Sequence, residues 1–179
     1  MTGLEFTLLG LLAEHPRHGY EIEQTIEARN MRDWADIGFS SIYYILKKLE
    51  KRGLVNVTLA PAEGRGPLRK IYQLTEEGKR AFKQQLAETL ATPVNRYSPF
   101  LLGLANLPAL PSQQAQAALQ TYASAQRANQ SDTQARQDQL PPGTPAHVQA
   151  MFDLSQALIN AELGWLDDFL AETYQRKKT

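Results

Sequence analysis

Leu4, Leu8, Leu11 and Leu12 recur at helical spacing, and Thr2-Gly3-Leu4-Glu5 has the spacing of a capping box, with Thr2 as N-cap and Glu5 at the third helical position. His15-Pro16 ends this helix, because proline disfavours helical geometry in the residue before it. A second helix is predicted from about Gly19 to Arg29, with Tyr20, Ile22 and Ile26 turned inward. A linker holding Trp34, Ile37 and Phe39 leads to Ser40, an N-cap for a third helix over Ser41 to Arg52 that Gly53 stops.

Two strand-like runs follow. Leu54-Val55-Asn56-Val57-Thr58-Leu59 alternates apolar with polar after its first pair, and Lys70-Ile71-Tyr72-Gln73-Leu74 resembles it less regularly. The chain breakers in Pro61-Ala62-Glu63-Gly64-Arg65-Gly66-Pro67 make a turn between them. Thr75 caps the next helix, with Glu76 and Glu77 in its first turn. Helix, helix, helix, hairpin, helix is the order of a winged helix-turn-helix domain, placed at residues 1–92.

In the third helix, at about 100° per residue, Ile42, Ile45, Leu46 and Leu49 share one arc. Ser40, Tyr44, Lys47, Lys48 and Lys51 lie opposite, with Tyr43 on the border. Such a helix fits the DNA major groove, where hydroxyls and lysines reach phosphates or base edges; a surface helix with lysines for solubility has the same pattern. Exposed tyrosines favour a contact surface. Arg65, Arg69 and Lys70 surround the hairpin tip, whose glycines allow close approach to a phosphate. The candidate DNA-binding set is therefore Ser40, Ser41, Tyr43, Tyr44, Lys47, Lys48, Lys51, Arg65, Arg69 and Lys70.

Net charge supports this layout only when read locally. Over the whole chain it is zero. From Met1 to Phe39, seven acidic residues face three basic ones, a net of −4; from Ser40 to Arg80, nine basic residues face four acidic ones, a net of +5. A basic stripe on a neutral chain suits a polyanion, though a solvated face has the same composition.

The remaining residues, 93–179, predict a helical dimerisation region. Ser98-Pro99 opens a short helix, with Phe100, Leu101 and Leu104 to bridge the two parts. Alanine and glutamine dominate Ser112 to Gln139, leaving a thin stripe of Ala115, Ala118, Leu119, Tyr122 and Ala125 that needs a partner helix. Pro141-Pro142-Gly143 breaks the chain, and Thr144-Pro145 restarts it with an N-cap and a first-turn proline. The last helix, about Ala146 to Tyr174, carries Val148, Phe152, Ile159, Leu163, Leu166 and Leu170 on one side, the candidate dimer contacts. Met151, Leu154, Leu158, Trp165 and Phe169 lie on neighbouring rows. So wide an apolar arc calls for burial on more than one side, by a second subunit or by the chain's own first domain. Trp34, Phe100, Trp165 and Phe169 are candidates to line an effector pocket, although aromatics at this spacing also serve as plain core.

The fold class is thus mainly α with a small β-hairpin: a winged helix-turn-helix domain followed by C-terminal helices. Absence of cysteine excludes disulfides, cysteine-ligated zinc and thiol nucleophiles, and fits a reducing cytoplasm. The Leu8–Leu12 run is short and bracketed by Glu5 and Glu14, so it reads as neither signal peptide nor membrane span. No metal site or cofactor is expected, since His15, His18 and His147 lack metal-ligand spacing. Glu76-Glu77 and Asp167-Asp168 are adjacent and diverge on a helix, and Gly64-Arg65-Gly66 lacks the ending of a P-loop. No catalytic residues are assigned.

The first ninety residues resemble the PadR family of bacterial transcriptional regulators. The likeness rests on Leu8-Leu9-Gly10-Leu11-Leu12-Ala13-Glu14, His18-Gly19-Tyr20-Glu21-Ile22, Ser41-Ile42-Tyr43-Tyr44-Ile45-Leu46-Lys47-Lys48-Leu49-Glu50, Gly53-Leu54-Val55 and Arg69-Lys70-Ile71-Tyr72-Gln73-Leu74-Thr75-Glu76-Glu77-Gly78. Tyr44 departs from it, standing where many relatives carry proline. The resemblance implies a homodimer on double-stranded DNA, a repressor released by a small aromatic or hydrophobic effector, with C-terminal helices that dimerise. The alternative from the residues alone is a winged-helix protein-interaction module whose basic face meets an acidic partner.

Overall fold

In the computed structural model, Thr2 opens the first helix with both halves of a capping box: its Oγ1 accepts the Glu5 N–H at 3.2 Å, and Glu5 Oε2 accepts the Thr2 N–H at 3.1 Å. The structure describes residues 1–35, 37, 42–61, 68–93 and 98–175. They fall into two units, Met1–Asn95 and Arg96–Thr179.

The first unit is built around α1 (Gly3–Glu14), whose Leu4, Leu8, Leu9, Leu11 and Leu12 are all buried. Helices α2 (Gly19–Ala28) and α3 (Ile42–Lys51) add Ile22, Ile26, Ile42, Ile45, Leu46 and Leu49 to the same core. Burying each such side chain contributes roughly 1.5–3 kcal/mol, so the core faces of the three helices fix how they pack. A 3-10 turn, Met31–Asp33, follows α2, and Met31 and Ile37 join the core. Gly53 ends α3 in a left-handed conformation (φ +71°), and the Leu54 N–H closes back on the Leu49 carbonyl at 3.0 Å.

Strands β2 (Val55–Ala60) and β3 (Arg69–Leu74) pair antiparallel from Val55↔Leu74 to Ala60↔Arg69. A third strand, β1 (Arg17–His18), adds to the far edge of β3 and makes the sheet order β1-β3-β2. Two residues carry too little alternation to announce a strand. Arg17 is nonetheless anchored and buried: it donates to the Leu11 carbonyl, to Glu21 and Thr25, and to Glu14 at 2.5 Å. Glu14 also accepts two hydrogen bonds from Arg29, tying the end of α1 to the end of α2. Helix α4 (Glu76–Ala91) starts at Thr75, whose Oγ1 accepts the Gly78 N–H at 2.9 Å and donates to the Gly53 carbonyl at 2.7 Å.

Tyr20 corrects the expectation from sequence. It is 60% exposed, because the buried row of α2 is Gly19, Ile22 and Ile26, and Tyr20 stands about 100° away from Gly19 on the helix.

In the second unit, α5 (Pro99–Ala105) is capped by Ser98, a short 3-10 turn follows at Leu107–Ala109, and α6 (Ser112–Asp138) and α7 (Ala146–Leu170) form a long antiparallel pair. Gly143 turns the chain with φ +84°. Thr144 does not cap α7: Pro145 occupies the cap position, and the Thr144 hydroxyl donates to the Pro141 carbonyl at 2.7 Å. A π-helical turn, Ala171–Gln175, ends the described chain. Ala115, Leu119 and Ala123 form the buried row of α6, whereas Ala118 and Ala125 are exposed, contrary to expectation. Of these, Leu119 and Ala123 pack with Leu163 and Leu166 of α7. Polar pairs set the register across this contact: Tyr122 donates to Glu162 at 2.9 Å, Gln137 to Asp153 at 2.7 Å and Arg127 to Asp167 at 2.6 Å.

Candidate nucleic-acid interface

Helix α3 presents three rows. Ile42, Ile45, Leu46 and Leu49 face the core. Tyr43, Lys47 and Glu50 form a second row turned toward the sheet, and Tyr44, Lys48 and Lys51 form a third. Tyr43 and Tyr44 are 53% and 69% exposed. Lys47 and Lys51 are exposed and make no ion pair or hydrogen bond among the described residues.

The sheet brings Arg69 and Lys70 alongside the second row. Both are exposed strand residues, opposite Ala60 and Leu59 of β2, and neither has a partner among the described residues. Together Tyr20, Tyr43, Lys47, Arg69, Lys70 and Tyr72 border an open cleft of about 570 Å³, with Glu50 as its acidic residue. Burial, followed by the nearby Glu50 and Tyr43, raises the Tyr72 pKa. His18 forms the near end of the cleft, where its Nδ1 accepts the Glu21 N–H at 3.0 Å and caps α2. The arrangement offers cations and phenol rings on one outward surface, a chemistry suited to phosphates and base edges.

Ser40, Ser41 and Arg65 lie outside the described residues, as do Phe39 and most of the predicted turn. Lys48 differs from the other exposed lysines of α3 in making an ion pair, although its side chain is 45% exposed. Its Nζ lies 2.8 Å from Glu5 of α1, and Arg52 lies 3.2 Å from the other oxygen of the same carboxylate. Burial alone would raise the Glu5 pKa, but the Lys48 ammonium, the hydrogen bond from the Thr2 N–H and the charge of Arg52 hold it below the usual value. Sequence reasoning found Glu5 only as a capping residue, since nothing local announces a partner forty-three positions away.

The second unit divides the expected dimer row. Leu163 and Leu166 are buried within one chain, and Ile159 and Leu170 pack with them against Leu119 and Ala123 of α6. Val148 and Phe152 are half-buried. On neighbouring rows Met151, Leu154, Leu158 and Trp165 are between 42% and 59% exposed. Phe100 stacks on Tyr122 with ring centroids 4.0 Å apart and meets Trp165 edge-on at 6.2 Å, and Trp165 stacks on Phe169 at 5.2 Å. Trp34 belongs to the first unit, where it is 56% exposed. Glu76 and Glu77 pair with Lys79 and Arg80 on their own helix. Among the described residues no helix is long and apolar enough to cross a membrane.

Three helices, a three-stranded sheet and a closing fourth helix define the first unit as a winged helix. Residues 8–84 match the transcriptional regulator PadR-like family. An uncharacterized protein of Lysinibacillus sphaericus is 30% identical over 101 residues, spanning 56% of this chain and 90% of that protein. The fold is similar to Bacillus subtilis PadR in complex with operator DNA (TM-score 0.77, 23% identity, 94% of this chain and 98% of that one). It is similar also to the same protein in complex with p-coumaric acid (TM-score 0.78, 23% identity, 94% and 97%). A PadR-like regulator of Bacillus cereus matches at TM-score 0.69 and 22% identity, with 94% and 96% covered. The chain belongs to the PadR-like family of transcriptional regulators.

Proposed function

We propose that the chain binds double-stranded DNA sequence-specifically as a homodimer and represses a gene in the cytoplasm until a small aromatic or hydrophobic effector releases it. The observation that carries this reading is the outward surface of α3, where Tyr43, Tyr44, Lys47 and Lys51 stand exposed beside Arg69 and Lys70. Lysines supply the sequence-independent attraction to phosphates, and the tyrosines, with the serines before the helix, supply contacts that depend on the bases. The similarity to a regulator solved with operator DNA supports the same use of the fold. Dimerisation is assigned to the outward apolar row of α7, because a monomer has no reason to expose Met151, Leu154, Leu158 and Trp165 in one line. The aromatic group of Phe100, Tyr122, Trp165 and Phe169 in the second unit suits a flat apolar effector, and the p-coumaric acid complex of the similar Bacillus subtilis protein is consistent with that chemistry.

Selection of bound duplexes from a random pool with the purified protein tests the reading. A dimer recovers a pseudo-palindrome whose half-sites lie about one helical turn apart or a multiple of it. Recovery of no duplex above background would overturn DNA binding and leave the basic face to an acidic protein partner.

A further inference from the structure

A carboxylate beneath the outward surface of α3 decides which of its cations are free. Glu5 is 1% exposed, yet its carboxyl group meets two cations: Lys48 Nζ at 2.8 Å and Arg52 at 3.2 Å. Those two residues stand at i, i+4 at the C-terminal end of the recognition helix, so one carboxylate bridges them across the contact between α1 and α3. The capping bond from the Thr2 N–H holds the same carboxylate at Oε2, the oxygen that Arg52 also meets. A buried charge stripped of its partner is strongly unfavourable. Lys48 and Arg52 therefore cannot both turn to a phosphate while Glu5 stays buried and ionised. Lys47, Lys51, Arg69 and Lys70 face no such competition among the described residues.

We infer that Glu5 is a positioning residue for DNA recognition: it holds Lys48 and Arg52 against α1, fixes the rotation of α3 about its own axis, and leaves phosphate contact to Lys47, Lys51, Arg69 and Lys70. The inference rests on the reading of α3 as the DNA-facing helix. It separates two adjacent lysines, Lys47 and Lys48, that composition makes equivalent.

The experiment compares full-length wild-type protein with the Lys47→Ala, Lys48→Ala and Glu5→Gln variants. Affinity for a selected duplex and for a random duplex is measured against salt concentration, with thermal melting of each variant alongside. Removing one lysine–phosphate pair makes the slope of log affinity against log salt shallower by about 0.9. Lys47→Ala shows that shallower slope on both duplexes, whereas Lys48→Ala keeps the wild-type slope. Glu5→Gln frees two cations, so its slope on the random duplex steepens while its preference for the selected duplex narrows. Should Glu5→Gln fail to fold, the two lysine variants decide the matter alone. Equally shallow slopes in Lys47→Ala and Lys48→Ala overturn the inference while leaving DNA binding intact. Wild-type protein with no salt-dependent duplex binding removes the DNA reading and the inference together.

Discussion

Gly19 lies directly beneath the ring of Tyr43: a Cβ added at Gly19 would overlap the tyrosine's ring atoms. The first residue of α2 thus sets where an exposed aromatic of α3 comes to rest. Gly19 itself has no unusual backbone angle, so the constraint is one of space. Gly19→Ala pushes the Tyr43 ring away while leaving the core untouched. The expected outcome is operator affinity weaker by about 1–3 kcal/mol, the magnitude of one base contact, with a melting temperature close to wild type. Fluorescence anisotropy on a selected duplex, read beside a thermal melt, checks both halves.

Gly78 makes a different demand. A Cβ there would run into the backbone carbonyl oxygen of Leu54, which already accepts the Thr75 N–H at 3.1 Å. Glycine to alanine within a helix ordinarily gains about 1 kcal/mol. Here the sign reverses, since a backbone atom cannot step aside, and Gly78→Ala is expected to cost about 1–3 kcal/mol as overpacking does. Denaturant unfolding of the variant measures it.

Acid should weaken the first unit through Glu5 and Glu14. The hydrogen bond from Arg29 leads the causes that lower the Glu14 pKa, and at Glu5 burial, the largest single cause, is outweighed by Lys48, the Thr2 N–H and the charge of Arg52 together. A carboxyl whose folded pKa lies below its unfolded value of 4.5 contributes its full stabilisation above that pH and loses it as pH falls through the folded value. Melting temperature is therefore expected to drop below about pH 4.5, and Glu14→Gln should flatten that acid limb. Glu14 is partly exposed, so salt should also blunt its share.

Much of the first unit was legible in the chain because local signals agreed. Thr2 and Glu5 at capping-box spacing, Gly53 after a helical run and the narrow apolar arc of α3 each fix one outcome. The rest needed three dimensions. Arg17 reads as a surface residue until the Leu11 carbonyl and three side chains close on it, and Glu5 reads as a cap until α3 docks. In α7, Ile159, Leu163 and Leu166 are no more apolar than Leu154, Leu158 and Trp165. The inner row is the one that meets Leu119 and Ala123 of α6, a pairing that no periodicity in α7 reveals.

That choice yields the prediction for assembly. Leu158→Glu alters a half-exposed residue of the outward row, so the α6–α7 pair should keep its helical content while the proposed dimer dissociates. Sedimentation velocity at micromolar concentration is expected to show a dimer for wild type and a monomer for the variant.

Affinity of the Tyr44→Ala/Lys47→Ala/Arg69→Ala variant for a selected duplex is the most direct measurement of all. The outward surface of α3 and its neighbouring strand predict a loss of tenfold or more, the equivalent of about 1.4 kcal/mol, with unchanged melting. Wild-type affinity in that folded variant would contradict DNA binding through this surface.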